Sequence, residues 1–213
     1  MTYTYLKNPE EIYQKSFAIV KEKADISALP PELHPIAIRL VHACGMTDIV
    51  NDLEFSPNVV EAATNVLQKG HPILCDCEMV RVGIITRQLN NNKIITTLND
   101  QSVTNLAQNM QTTRSAAAIE LWQNHIENAV VVIGNAPTAL FHLLERLQQG
   151  WPKPAAILGF PVGFVGAAES KTALAEFQEN IPFLTLHGNR GGSAMASAAL
   201  NAIASISNQK VSA

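Results

Sequence analysis

Two hydrophobic textures divide the chain near Pro72. Before it, apolar residues recur at the helical period behind proline or polar punctuation. Asn8-Pro9 predicts a helix start, with Asn8 as N-cap and Pro9 at N1. Ile12, Phe17, Ile19 and Val20 then give that helix one apolar side through about Lys23. His34-Pro35 predicts a second helix, IAIRLVHA, stopped by Gly45 at the C′ position. Ser56-Pro57 opens a third, VVEAATNVLQKG, closed by Gly70.

Beyond Pro72, short apolar runs alternate with longer helical stretches. The runs Ile73–Cys75, Ile94–Leu98, Val130–Gly134, Ala155–Gly159 and Phe183–Leu186 predict strands. Helices are expected near Glu78–Ile84, Gln101–Leu121, Pro137–Gln149, Gly166–Glu179 and Gly192–Ile206. This rhythm predicts a three-layer α/β/α fold with right-handed crossovers. Its sheet should be a flavodoxin-like, doubly wound, mostly parallel arrangement of five strands. No repeat or linker interrupts the pattern, so residues 1–213 are expected to form a single domain.

Ligands of open α/β sheets bind beyond the carboxyl ends of the strands. Here those ends read Asp76, Thr97–Asn99, Gly134-Asn135, Phe160-Pro161-Val162-Gly163 and His187 to Gly192. They are polar or glycine-rich after apolar strands, which suits a site along that edge. Gly and Asn also make ordinary strand-to-helix turns.

Composition narrows the function. The chain has 213 residues, 47% apolar, 6% aromatic and 15% charged, with net charge −3. So low a charged fraction argues against disorder and for extensive burial. With no long basic tract, nucleic acid is not an expected partner. The first residues lack a signal-peptide layout, and no run reaches the ~20 apolar residues of a membrane span. Cys44, Cys75 and Cys77 make no disulfide framework, and a metal site would need further ligands such as His42 and His71. A cytoplasmic, reduced protein without membrane partners is expected.

Arg39 and His42 stand three apart on one face of an otherwise apolar helix. The end of the helix favours the imidazolium, whereas Arg39 and burial favour neutral imidazole. A ring so balanced suits general acid–base work; a core histidine bonded to a carbonyl is the plainer reading. Of the six arginines, Arg87, Arg114 and Arg190 lie at loops, where guanidinium forks suit carboxylates or phosphates. Arg146 is expected in an ordinary exposed helical setting near Glu145, and His187 ends a strand where it could touch ligand. The glycine segments after Gly159 and His187 match neither a dinucleotide fingerprint nor a P-loop.

Seven ordered segments carry a family resemblance: IYQKSF (12–17), RLVHACGM (39–46), CDCEMVRVGI (75–84), TTRSAAAIE (112–120), IGNAPTALF (133–141), GFPVGFVGAAESK (159–171) and GGSAMASAALNA (191–202). Together the chain resembles the precorrin-8X or cobalt-precorrin-8 methylmutases of corrin biosynthesis. The resemblance implies a homodimeric cobalamin-pathway isomerase that moves a methyl group from C11 to C12 of a tetrapyrrole, giving hydrogenobyrinate or cobyrinate. It implies no cofactor and no metal. By the same resemblance His42 is the proton donor or acceptor and Ser16 and Arg39 contact substrate. Arg87 and Arg114 look like carboxylate binders, and Asn135, Gly163, Gly191 and Gly192 border the pocket. The chain departs from the family's commoner GRKGGS with GNRGGS, which leaves Arg190 without an assigned role. A non-catalytic tetrapyrrole carrier and a flavin- or nucleotide-binding protein are the alternatives. The intact Arg39–His42 pair weighs against the first, and the missing phosphate fingerprints against the second.

Overall fold

The computed structural model describes residues 2–211, with side chains through Asn208. Its first half holds α1 (Pro9–Lys23), α2 (His34–Cys44), β1 (Leu53–Phe55), α3 (Val59–Gln68), β2 (Ile73–Cys75), α4 (Glu78–Gly83) and β3 (Ile94–Thr96). There follow α5 (Val103–Asn109), α6 (Arg114–Ile119), β4 (Val130–Ile133), α7 (Pro137–Gln148), β5 (Ala156–Gly159), α8 (Ala167–Ala175), β6 (Phe183–Leu186) and α9 (Ser193–Val211). A turn of 3₁₀ helix, Thr47–Asp52, joins α2 to β1.

Local signals act as expected. The Asn8 side chain accepts the N–H groups of Glu10 and Glu11 at the head of α1. Gly45 ends α2 in the left-handed region, φ 73°, its N–H on the Val41 carbonyl. The helix expected over Gln101–Leu121 is instead two. Gln111 adopts φ 52°, which stops α5, and Thr113 restarts the chain by accepting the Ala116 N–H as N-cap of α6.

The sheet order is β1-β6-β5-β4-β2-β3. From β2 to β6 every pairing is parallel, in the doubly wound order expected. The strand count is six rather than five, because β1 adds an antiparallel edge beside β6, Glu54 facing Thr185 in register. Alternate residues feed opposite layers. Ile73, Cys75, Val130, Val132 and Leu158 pack beneath α2, α3 and α9. Leu74, Val131, Ile133 and Ile157 pack with α7 and the fully buried Trp122 on the other side. Small residues let α9 approach its neighbours closely: a Cβ on Gly83 of α4 would lie 2.5 Å from Ser197 Oγ.

Candidate active site

α2 commits Ile36, Ala37, Ile38, Leu40 and Val41 to the core. That leaves Arg39 half-buried and His42 exposed on the remaining face. The burial expected for His42 is therefore not found: its position falls at the edge of the buried stripe. α1 crosses this face, burying only Val20, and packs chiefly on α2. It nevertheless supplies both side-chain partners of the pair. Ser16 Oγ shares a 2.8 Å hydrogen bond with His42 Nδ1. Arg39 donates to the Tyr13 hydroxyl at 3.0 Å. Phe17 meets the imidazole edge-on, with ring centroids 5.2 Å apart. Nε2 has no protein partner among the described residues.

Arg39 and His42 open onto a cavity of about 530 Å³ whose other walls are α4 and the first turns of α9. Met79 and Val82 line it while 63% and 68% exposed, so the wall offers bare apolar surface to an occupant. Ser193, Ser197 and Asn201 add polar atoms opposite. On the far side of His42, a recess of about 260 Å³ is bordered by Ser16, Lys23 and Thr47. A third, of about 350 Å³, lies between Tyr13, Lys21 and Arg39. The histidine thus stands between two hollows, with cations at their rims. Such a place can hold a large, partly apolar anion and exchange a proton with it.

The sheet's own switch point, between β2 and β4, is closed. Asp76 is 3% exposed there, and its carboxylate accepts the N–H groups of Gly134, Asn135 and Ala136 at 3.0, 2.9 and 3.0 Å. Burial pushes its pKa up, and the three donors pull it back down. These are the amides that would otherwise cradle a ligand phosphate at the head of α7. An internal carboxylate already satisfies them, which disfavours the nucleotide and flavin readings and moves the site to the α2 face. Burial raises the pKa of the Cys75 and Cys77 thiols, so neither is poised as a thiolate. Among the described residues no cluster of three or more His, Cys, Asp or Glu side chains forms a metal site.

A family model for precorrin-8X methylmutase (CbiC) matches residues 11–206. The chain belongs to the precorrin-8X methylmutase family. These enzymes are isomerases, and so is this chain. A precorrin-8X methylmutase of Pseudomonas aeruginosa is 51% identical over 201 residues, 94% of this chain and 97% of that one. One from Sinorhizobium sp. is also 51% identical, over 95% of this chain and 97% of its own. A cobalt-precorrin-8 methylmutase of Methanothermobacter thermautotrophicus is 39% identical over 94% of each. The solved precorrin-8X methyl mutase of Thermus thermophilus has the same fold, with TM-score 0.86 and 33% identity over 94% of this chain and 97% of that structure.

Against this family background, the residues singled out in sequence separate into groups. Ser16, Arg39 and His42 come together. Tyr13 and Phe17 join them; both lie in the IYQKSF segment, and their position three and one residues from Ser16 was the available signal. Arg87 and Arg114 are exposed and do not line the main cavity. Arg114 donates to the Leu98 carbonyl at 2.9 Å. Asn135 is exposed at the head of α7, its amide on Asp76. Gly163 and Gly192 adopt φ 143° and 117°, a region that favours glycine. Gly191 has no room for a side chain, since a Cβ would sit 2.5 Å from the Phe160 carbonyl oxygen. His187 pairs with Glu54, and Arg190 with Asp48 and Asp52, so both face β1 and the turn before it. Arg146 is not in an ordinary exposed setting: it bonds the Glu120 carboxylate at 2.5 Å, which His142 shares.

Proposed function

We propose that this chain moves a methyl group from C11 to C12 of precorrin-8X, yielding hydrogenobyrinate in cobalamin biosynthesis. The bond to C11 breaks as that to C12 forms, with no net oxidation, and any proton lent to the macrocycle is returned. The supporting observation is the setting of His42: Nδ1 is engaged by Ser16, and Nε2, beside the cavity, has no protein partner among the described residues. One nitrogen fixes the ring, and the other is available to hold or deliver a proton. Met79 and Val82 suit a flat apolar macrocycle, and Arg39 with Lys21 and Lys23 suits its acetate and propionate arms. Arg87 and Arg114 are assigned to arms that extend beyond the cavity. Asn135, Gly163, Gly191 and Gly192 are assigned to the pocket border through their backbone.

The metal-free substrate is preferred to the cobalt-bearing one because the two 51%-identical relatives carry the precorrin-8X name, whereas cobalt-precorrin-8 methylmutases of Priestia megaterium and Methanothermobacter thermautotrophicus are 32% and 39% identical. The single domain works as a cytoplasmic homodimer. Phe164 and Val165, 92% and 89% exposed in the loop after β5, offer an apolar contact for the second copy. Turnover of synthesised precorrin-8X, followed by the visible spectrum of the product, tests the proposal. His42→Asn should retain product binding and lose ~10²-fold or more in turnover. Wild-type rates in that variant would end the acid–base assignment, and absence of wild-type turnover would leave the carrier reading.

A further inference from the structure

The cavity has two walls that are far apart in sequence, the α2 side and the head of α9, and both are tied to residue 190. Lys171 is fully buried on α8. Its Nζ donates to the Arg190 backbone carbonyl at 2.5 Å. The Arg190 guanidinium then spans two carboxylates, Asp48 at 2.7 Å and Asp52 at 2.5 Å. Those aspartates belong to the 3₁₀ turn Thr47–Asp52, whose first residue borders the recess beside His42. The His187 amide also donates to the Asp52 carbonyl, at 2.8 Å. In the other direction, Gly192 bonds the Phe160 carbonyl at 2.8 Å, and Ser193 enters the cavity wall directly after it.

A buried ammonium is costly unless it is paired and bonded, so its retention here calls for an effect. Bound to Arg190's own carbonyl, it fixes the peptide from which the guanidinium fork is launched. The fork is rigid and planar, and its two terminal nitrogens reach one carboxylate each, which fixes their relative positions more tightly than a flexible ammonium would.

We propose that Lys171 and Arg190 form a charged staple that positions the His42 side of the cavity against the head of α9. Arg190 is then a positioning residue whose guanidinium is already engaged, not a ligand of the substrate's arms. The inference rests on reading this cavity as the substrate site. Losing the staple leaves the sheet and α2 intact and loosens the 46–52 and 187–193 segments, so proton transfer suffers more than binding.

The test compares wild type with Lys171→Met, Arg190→Gln and Arg190→Lys by amide hydrogen exchange without ligand and by precorrin-8X turnover. Lys171→Met and Arg190→Gln should exchange about 10-fold faster over 46–52, with β4 and β5 unchanged. In Arg190→Gln kcat should fall about 10-fold while KM moves less than twofold. Arg190→Lys, keeping one ion pair, should recover part of both. Unchanged exchange over 46–52 overturns the staple, as does a raised KM at wild-type kcat, which makes Arg190 a substrate ligand. A wild type that fails to turn over precorrin-8X overturns the proposed function instead, and the exchange comparison still decides the staple.

Discussion

Lys171 makes a quantitative prediction about stability and pH. Burial draws its ammonium from the ordinary 10.5 down to about 8, against the pull of Asp52. In the unfolded chain the amine regains its ordinary value. Between pH 8 and 10.5 the unfolded state therefore holds a proton that the folded state has released. Unfolding takes up that proton, so stability rises with pH across this window. A titration displaced from 10.5 to about 8 corresponds to about 3 kcal/mol at about 1.36 kcal/mol per tenfold. Other lysines, tyrosines and thiols titrate in the same range, and comparison with Lys171→Met removes their shared contribution. Urea denaturation of both proteins at pH 7.5, 9 and 10.5 gives the two stability curves. The gap should move in favour of wild type by on the order of 3 kcal/mol from the lowest to the highest pH. Parallel curves would refute the reasoning, because they would mean the amine titrates alike in both states.

Two further substitutions probe the neighbouring networks. Asp76→Gly leaves three N–H groups without an acceptor, two of them buried, at ~1–3 kcal/mol for each buried one, and should lower the melting temperature strongly. Acetate, which replaces the deleted carboxymethyl group, should raise that temperature more than chloride at equal ionic strength; equal effects would show that Asp76 is not an internal anion for the 134–136 amides. Ser16→Ala removes the 2.8 Å bond to His42, worth about 0.5–1.5 kcal/mol. Phe17 still holds the ring edge, so turnover should drop roughly 2- to 10-fold with product affinity within twofold, and an unchanged turnover would detach Ser16 from the proton step.

What could be seen in the sequence was what local chemistry decides. Asn8, Pro9 and Gly45 mark helix ends because caps involve neighbours a few residues away. The apolar runs of β2, β4, β5 and β6 mark central strands because both faces are buried, and the run of β3 marks a half-buried edge. Arg39 and His42 stood out because two polar groups on one turn interrupt an apolar helix. β1 left no such trace: it is three residues long, carries Glu54, and exists through pairing with β6, some 130 residues onward. The break between α5 and α6 was hidden because Gln111 carries no sign of its left-handed backbone, unlike a glycine. The Asp76 cradle was invisible for a related reason, since its donors are backbone amides 58 to 60 residues away.

The arginines show where reading charge along a chain fails. Of the six, those at loops, Arg87, Arg114 and Arg190, suggested a ligand bearing carboxylates or phosphates. In the fold, Arg81 pairs with Glu78, Arg146 with Glu120, and Arg190 with Asp48 and Asp52. The last two pairings join residues 26 to 142 positions apart, a separation that no spacing rule reports. Among the described residues, Arg39, Arg87 and Arg114 have no carboxylate partner, and of these Arg39 lines the cavity beside His42. The cations beside His42 are thus this guanidinium, oriented by Tyr13, and Lys23 at the rim of the recess. Recognition of the acid arms proposed above then depends on that fork and the lysines at the rim, with Arg87 and Arg114 for the outer arms, and the ring on the apolar wall of Met79 and Val82. A ligand's affinity should accordingly respond to loss of Arg39 far more than to loss of Arg81, Arg146 or Arg190, although all four look alike in the sequence.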